Sequence, residues 1–290
     1  MAEKREKREP EAKGTTGRYS NLQDTVEVRT AQGQWYRGGR DSNGRMHGWG
    51  MLERPTASGG SMRYVGRLTH GRLSGWARME YSNGDCYEGE VEEGRMQGRG
   101  RMLYSAGASY LGHWRRGAKH GLGEYLDPKR DTLYNGVHED GRREGWGTLQ
   151  VADVCFVGQF RQGGMSRGRL TWDCGDYYQG AFSQGLYEGQ AELLQRGCLY
   201  SGGFKAGKRH GTGEWRRLSS KASYSGSWAH DRPNGHGRLV LDNGRAYEGE
   251  FIEGVPSGYG TLTTAEGEEV EGFFADGDFI QEAGDILQFC

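Results

Sequence analysis

A pattern of about 23 residues recurs along most of the chain and limits what the chain can fold into. One clear copy is residues 110–123, which read YLGHWRRGAKHGLG. Tyr110, Gly112 and Trp114 alternate in this copy, so they would share one face of a β-strand. We predict a β-hairpin whose turn ends at Gly117, as a type I turn followed by a G1 bulge.

The first aromatic residue of the pattern recurs ten times, and a glycine follows each one two residues later. These aromatic positions are Tyr36, Tyr64, Tyr87, Tyr110, Tyr134, Phe156, Tyr178, Tyr200, Tyr224 and Tyr247. Glycine weakens a strand unless something must lie close against it, so the pairing predicts rings packed flat over bare backbone. The fold class we predict is all-β, an elongated single-layer antiparallel β-meander built of about ten stacked hairpins.

The array of hairpins is predicted to cover residues 36–277, with short segments at both ends. Residues 1–18 carry charges of both signs and are predicted to be disordered. Residues 19–35 should supply a capping strand, because Val26 and Val28 alternate there. Residues 278–290 should form a cap or a docking tail, because a repeat array needs its ends covered. The apolar residues of this tail are Phe279, Ile280, Ile286, Leu287 and Phe289.

The composition excludes several classes of protein. Glycine accounts for 53 of 290 residues but proline for only 5, which argues against a collagen-like or proline-rich chain. The net charge of −1 lacks the basic excess typical of nucleic-acid binding. The sequence shows neither a long apolar run nor a C-x-x-C pair, so we expect no membrane span and reduced cysteines. We therefore expect a protein of the cytoplasm and cytoskeleton.

Motifs that resemble catalytic sites are explained by the repeat itself. Residues 164–168 fit G-x-S-x-G around Ser166, but that motif needs a strand, a turn and then a helix. Residues 202–208 resemble the start of a P-loop, but Arg209 stands where a Ser or Thr should bind magnesium. The histidines at one repeat position, His47, His120 and His210, are explained by packing. We predict no catalytic, cofactor or metal site, and no enzyme.

Basic residues recur just after the turn glycine of many copies, and stacked hairpins would align them along one edge. We call these nine residues the basic tip row: Arg45, Arg72, Arg95, Lys119, Arg142, Arg143, Lys208, Arg209 and Arg232. The row could be a solvated edge that also discourages aggregation, or a contact for an acidic protein surface or for anionic lipid headgroups. A second candidate is an apolar docking patch where the pattern is relaxed, formed by Met165, Leu186 and Tyr187.

The pattern Y-x-G-x-W/F-x-x-G-x-x-H-G-x-G resembles the MORN repeat (membrane occupation and recognition nexus), and residues 200–213 match it almost completely. The resemblance implies an elongated twisted β-meander with a shallow groove. It also implies a non-catalytic scaffold that joins proteins in a cytoskeletal assembly, and the assembly we expect is a ciliary or flagellar axoneme, with this chain as a radial-spoke-head-like component. A homodimer through the C-terminal end is a further expectation. The alternative is a peripheral membrane tether that binds anionic phospholipids through the basic tip row.

Overall fold

The computed structural model describes residues 25–31, 33–56 and 59–279, and these form one antiparallel β-sheet of 23 strands. A short 3₁₀ helix, Pro128–Arg130, lies between the ninth and tenth strands. The strands are β1 (Val26–Arg29), β2 (Trp35–Arg40), β3 (Met46–Pro55), β4 (Ser61–Thr69), β5 (Arg72–Glu80), β6 (Cys86–Glu92), β7 (Arg95–Leu103), β8 (Ser109–Arg115), β9 (Ala118–Asp127), β10 (Thr132–Glu139), β11 (Arg142–Val151), β12 (Val154–Arg161), β13 (Gly164–Trp172), β14 (Tyr177–Ser183), β15 (Leu186–Gln195), β16 (Cys198–Lys205), β17 (Lys208–Arg217), β18 (Ser223–Ala229), β19 (Arg232–Val240), β20 (Ala246–Ile252), β21 (Val255–Thr263), β22 (Glu269–Ala275) and β23 (Asp278–Phe279).

Each strand pairs with the one before it and the one after it, from β1 paired with β2 to β22 paired with β23. The chain therefore crosses the sheet once per strand without a crossover connection, and the described residues contain no α-helix. This arrangement confirms the predicted single-layer β-meander. The prediction of disorder for residues 1–18 lies outside the described residues, as do Ile280, Ile286, Leu287 and Phe289 of the tail.

In eight of the ten repeats the first aromatic lies flat over a pair of glycines, as the sequence predicted; Ala77 and Ala191 replace the second glycine in the other two. In the fourth repeat Gly112 of β8 is paired with Gly123 of β9. A Cβ atom added to Gly123 would lie 2.3 Å from the hydroxyl oxygen of Tyr110, so the ring occupies the space above the bare backbone. The Tyr110 hydroxyl also donates a hydrogen bond to the carbonyl oxygen of His113 at 3.1 Å, which fixes the ring over the glycines. All nine tyrosines at this position donate to the carbonyl three residues later.

From the fourth repeat onward a second ring joins neighbouring hairpins. Trp114 makes edge-on contacts with Tyr110 of its own repeat, at 5.1 Å between ring centroids, and with Tyr87 of the preceding repeat, at 5.5 Å. Edge-to-face pairs of this kind stabilise beyond the area that they bury. The core thus lies on one face of the sheet, which we call the ring face, and its rings contact one another in a continuous line from Tyr87 to Phe274. Each hairpin depends on its neighbours for burial.

The predicted turn type is wrong at the hairpin tips after the first repeat. The first tip has the predicted arrangement, since the N–H of Gly44 donates to the carbonyl oxygen of Asp41 at 2.9 Å. β8 ends at Arg115 and β9 begins at Ala118, which leaves a two-residue turn. Both of its residues have positive φ, 51° for Arg116 and 88° for Gly117, which is the signature of a type I′ turn. Type I′ turns match the right-handed twist of paired strands. The predicted G1 arrangement occurs at the opposite edge of the sheet, for example around Gly84, whose N–H donates to the carbonyl oxygen of Tyr81 at 2.9 Å.

The single-layer sheet predicts an elongated particle in solution. At about 4.8 Å per strand, 22 spacings give a length of about 105 Å before twist shortens it. We expect small-angle scattering to give a radius of gyration above about 25 Å, against about 19 Å for a compact 290-residue protein. A value near the compact limit would contradict the meander.

Candidate partner-binding groove

The residues of the basic tip row lie at or beside the hairpin tips along one edge of the sheet, but they point to different faces. Lys119 lies opposite Trp114 in the strand register, and Arg143 lies opposite His138, so both belong to the ring face. Arg209 holds the same position opposite Phe204. The residues that immediately follow the turns are exposed instead, as Arg95, Arg142 and Lys208 are.

Acidic residues neutralise several members of the row. The closest side-chain contacts are Arg45 with Asp41 at 3.4 Å, Arg72 with Glu93, Arg209 with Asp231 at 3.4 Å, and Arg232 with Glu253 at 2.8 Å. The last three partners lie in the turn of the following hairpin. The edge is therefore a line of ion pairs over much of its length, with unpaired positive charge concentrated at particular places.

One concentration of such charge is a groove on the ring face over β9, β10 and β11. The groove has a volume of about 780 Å³, and we call it the cationic groove. It has Lys129 and Arg130 at one edge of the sheet, and Lys119, Arg142 and Arg143 at the other edge. Its floor includes Tyr125, Tyr134 and His138, and its one acidic lining residue is Asp127.

The Lys119 ammonium group lies among three tyrosine rings. Its Nζ atom is 5.3 Å from the ring centroid of Tyr104, 4.9 Å from that of Tyr110 and 4.4 Å from that of Tyr125. Burial lowers the pKa of Lys119 to about 8. The rings position the ammonium by cation–π attraction, yet they supply no anion for it.

His138 occupies the position that holds Trp114 in the preceding repeat, and it is 4% exposed. Its ring makes edge-on contacts with Tyr110 at 5.1 Å and with Tyr134 at 5.0 Å, so it fills the space of the usual second ring. The buried Nδ1 atom has no hydrogen-bond partner. Burial, together with the charges of Lys119 and Arg143, lowers the pKa of His138 to about 4, so the ring is neutral at pH 7.

In a second groove an aspartate neutralises Arg209, which holds the position equivalent to Arg143. It has a volume of about 470 Å³ and is lined by Arg209 and Asp231 among others. The backbone N–H of Asp231 donates to the carbonyl of Arg209 at 3.2 Å. In the cationic groove the backbone N–H of Gly141 donates to the backbone carbonyl oxygen of Lys119, and that of Gly163 donates to the carbonyl oxygen of Arg143. Glycine, the usual residue at this turn position, stands at both places, so neither cation has the aspartate that Asp231 supplies to Arg209.

The predicted apolar patch is divided between core and surface. Tyr187 stacks on Tyr178 with ring centroids 3.8 Å apart, and Met165 packs against the same core. Leu186 is 50% exposed beside them. Of the apolar tail, Phe279 ends β23.

One group of side chains has metal-ligand chemistry, and it includes His47. The ligand atoms of Asp41, His47 and His70 lie within 4.8 Å of one another. The Asp41 carboxylate already accepts hydrogen bonds from the His70 ring at 2.8 Å and from the backbone N–H of Arg45 at 2.9 Å. These contacts, led by the one to His70, lower the pKa of Asp41 to about 2. The Arg45 guanidinium is 3.4 Å from the same carboxylate, and its positive charge disfavours a metal ion there. We therefore interpret the three residues as the cap of the turn between β2 and β3.

The two catalytic motifs weighed in the sequence lack their required surroundings. Ser166 lies in β13, where Phe160 pairs with Met165 and Gln159 pairs with Arg167, so Ser166 is the extra residue of a bulge. Residues 202–208 cross from β16 to β17 through a hairpin turn. Neither segment leads into a helix among the described residues, and both motifs need one.

Sequence reasoning missed two further features of the surface. The residue between the two glycines of the return strand, or between Gly75 and Ala77 in the second repeat, lies on the face opposite the rings, and it is often a large apolar side chain. The most exposed of these are Trp49, Trp76, Leu122, Trp146 and Tyr259. The charge is also uneven, because residues 246–290 contain eleven acidic residues and neither Lys nor Arg. Aligning the ten repeats position by position would have found the apolar residues, and summing the charge along the chain would have found the acidic segment.

The fold and its repeated core define an open all-β repeat protein with a groove on the ring face. Six segments match the family model for the MORN repeat, residues 87–109, 110–132, 178–194, 200–217, 224–244 and 247–269. The chain therefore belongs to the MORN-repeat proteins, which confirms the resemblance. No curated protein matches the chain. MORN repeats generally mediate binding to proteins or to membrane lipids, and their fold is typically non-catalytic. None of the described segments is a helix capable of spanning a bilayer.

Proposed function

We propose that this protein is a non-catalytic structural scaffold that mediates protein–protein interaction in a cytoskeletal assembly. The observation that carries the proposal is the single-layer sheet, which leaves large side chains exposed on the face opposite its core. Trp49, Trp76 and Trp146 are 62%, 53% and 63% exposed there. Tryptophan is enriched where proteins bind one another, since it buries a large area and carries a polar N–H. The ring face adds the cationic groove as a second surface.

The assembly that we propose is a ciliary or flagellar axoneme, with a radial-spoke-head-like role. This step rests on the resemblance to MORN proteins that consist almost wholly of repeats, and the location that we propose with it is the cytoplasm and its cytoskeleton. Self-association through the C-terminal end stays a prediction, because residues 280–290 lie outside the described residues.

Affinity capture of the full chain from ciliated cells, paired with proximity labelling, tests the proposal. We expect axonemal proteins to dominate both sets of partners. The Trp76→Ala/Trp146→Ala variant should lose part of that set, because it removes two exposed rings without touching the core. Recovery of membrane lipids and membrane proteins in place of cytoskeletal ones would contradict the scaffold.

The alternative function is a membrane tether, and vesicle sedimentation distinguishes it from the scaffold. Ion pairs already occupy Arg72, Arg209 and Arg232, so we expect weak binding to phosphatidylserine vesicles at physiological salt. Strong, salt-sensitive sedimentation that disappears in the Arg142→Glu/Arg143→Glu/Lys208→Glu/Arg209→Glu variant would instead favour the tether.

A further inference from the structure

We propose that the cationic groove binds an extended acidic peptide segment of a partner protein, with carboxylates at both ends of the groove. The inference rests on the proposed scaffold function and names the chemistry of one partner. An acidic side chain of the peptide would meet Lys119, Arg142 and Arg143 at one edge of the sheet, and another would meet Lys129 and Arg130 at the other edge.

The first argument is the unbalanced charge of the groove. Among the described residues, no carboxylate oxygen lies within 4.0 Å of the side-chain nitrogens of Lys119, Lys129, Arg142 or Arg143. The one acidic lining residue, Asp127, contacts Arg130 at 3.7 Å. At the position equivalent to Arg143, Arg209 has Asp231 at 3.4 Å, whereas Arg143 has Gly163 in its place. A ligand carboxylate would supply the charge that this chain omits.

The second argument is the length of the groove. Its two cationic ends lie at opposite edges of the sheet, along the length of β10 from Thr132 to His138. Six residues of strand span about 20 Å. A single phosphate or a compact headgroup meets only one end, whereas an extended peptide of about six residues reaches both. A flat membrane would approach one edge of the sheet, not a channel that runs between both edges.

The third argument is the floor between the ends. Tyr125 is only partly buried there, so it offers an aromatic surface to an apolar side chain of the peptide. His138 is 96% buried beside it, and its Nδ1 atom has no partner. The Lys119 ammonium is held among its three rings before any ligand arrives. A site whose cations and rings are already fixed spends less conformational entropy on binding.

Biolayer interferometry of the full chain over an immobilised random copolymer of glutamate and tyrosine tests the proposal. The test variant is Lys129→Glu/Arg142→Glu, which reverses one exposed cation at each end of the groove. The matched control is Lys205→Glu/Lys208→Glu, which makes the same charge change on exposed residues at the tip of the β16–β17 hairpin. We expect the test variant to lose about tenfold or more in affinity and the control about twofold or less. Each single change, Lys129→Glu or Arg142→Glu, should lose an intermediate amount.

Several results would overturn the acidic peptide. These are no binding by the wild-type chain, equal losses in the test and control variants, or a loss confined to one end. Full displacement of the copolymer by an equimolar amount of inositol hexakisphosphate would assign the groove to a compact phosphate. Vesicle binding that is lost in the test variant would assign it to lipid. If the copolymer result fails while the wild-type chain still captures cytoskeletal proteins, the groove proposal falls and the scaffold stands.

Discussion

Replacing Gly112 or Gly202 with valine is expected to lower the free energy of unfolding by about 3 kcal/mol at each site. A Cβ atom at Gly112 would lie 2.6 Å from the Cα atom of Gly123 and 2.6 Å from the Tyr110 hydroxyl oxygen. At Gly202 the corresponding distances, to Gly213 and Tyr200, are both 2.5 Å. The contacts are with backbone and with a ring already tied down by its hydroxyl, so neither neighbour can move without breaking the strand pairing. Urea denaturation measures the loss.

Gly164→Val is the matched control for this prediction. Gly164 is also a strand glycine, but the nearest atom to an added Cβ is the Arg161 carbonyl oxygen at 3.8 Å, and its φ is not positive. Valine favours strands, so we expect Gly164→Val to be neutral or slightly stabilising. Arg95→Ala, an exposed change at a tip, should shift stability by about 0.5 kcal/mol or less. Equal losses at Gly112 and Gly164 would show that the buried glycines are not packing positions.

The fold could be predicted from the sequence because one local rule is repeated. The step from Tyr110 to Gly112 carries both the alternation of a strand and the need for bare backbone under a ring. Ten copies of that rule leave a meander as the simplest arrangement. The turn type could not be settled in the same way, since a type I turn with a G1 bulge and a type I′ turn both place a glycine at Gly117. Only the positive φ of Arg116 distinguishes the two.

The groove could be predicted only in part. The basic tip row included Lys119, Arg142 and Arg143, because all three follow a turn glycine. Lys129 and Arg130 were missed, since they lie in the link between repeats, where the pattern specifies nothing. Which cations stay unpaired depends on contacts between hairpins about 22 residues apart, as between Arg209 and Asp231.

His138 could have been found by aligning the second-ring positions of the repeats. The fifth repeat has a histidine there. All the remaining repeats from the second to the tenth have an apolar or aromatic residue, such as Trp114 or Phe160. The exception marks the centre of the cationic groove. An alignment of the repeats thus identifies the unusual repeat by the one residue that differs, even where no sequence motif is present.

His138 should make the stability of this protein fall as the pH drops from 7 to 5. The unfolded side chain has a pKa near 6.5, whereas burial lowers the folded value to about 4. Between those values the unfolded chain binds the proton and the folded chain does not, so acid favours unfolding. The free energy of unfolding should fall by about 2 kcal/mol between pH 7 and pH 5. It should fall further until the pH is below the folded pKa, and it should be almost independent of this histidine above pH 7.

His138→Phe is the variant that isolates this contribution. Phenylalanine restores the ring found at Phe160 and Phe182, keeps the edge-on contacts with Tyr110 and Tyr134, and leaves no buried nitrogen without a partner. We expect urea denaturation at pH 7, 6 and 5 to show a shallower pH dependence for His138→Phe than for the wild-type chain. His236→Gln, at an exposed histidine on the opposite face, should leave the wild-type dependence unchanged. The same slope in the wild-type chain and in His138→Phe would mean that folding leaves the pKa of His138 unchanged, and would contradict the lowered value.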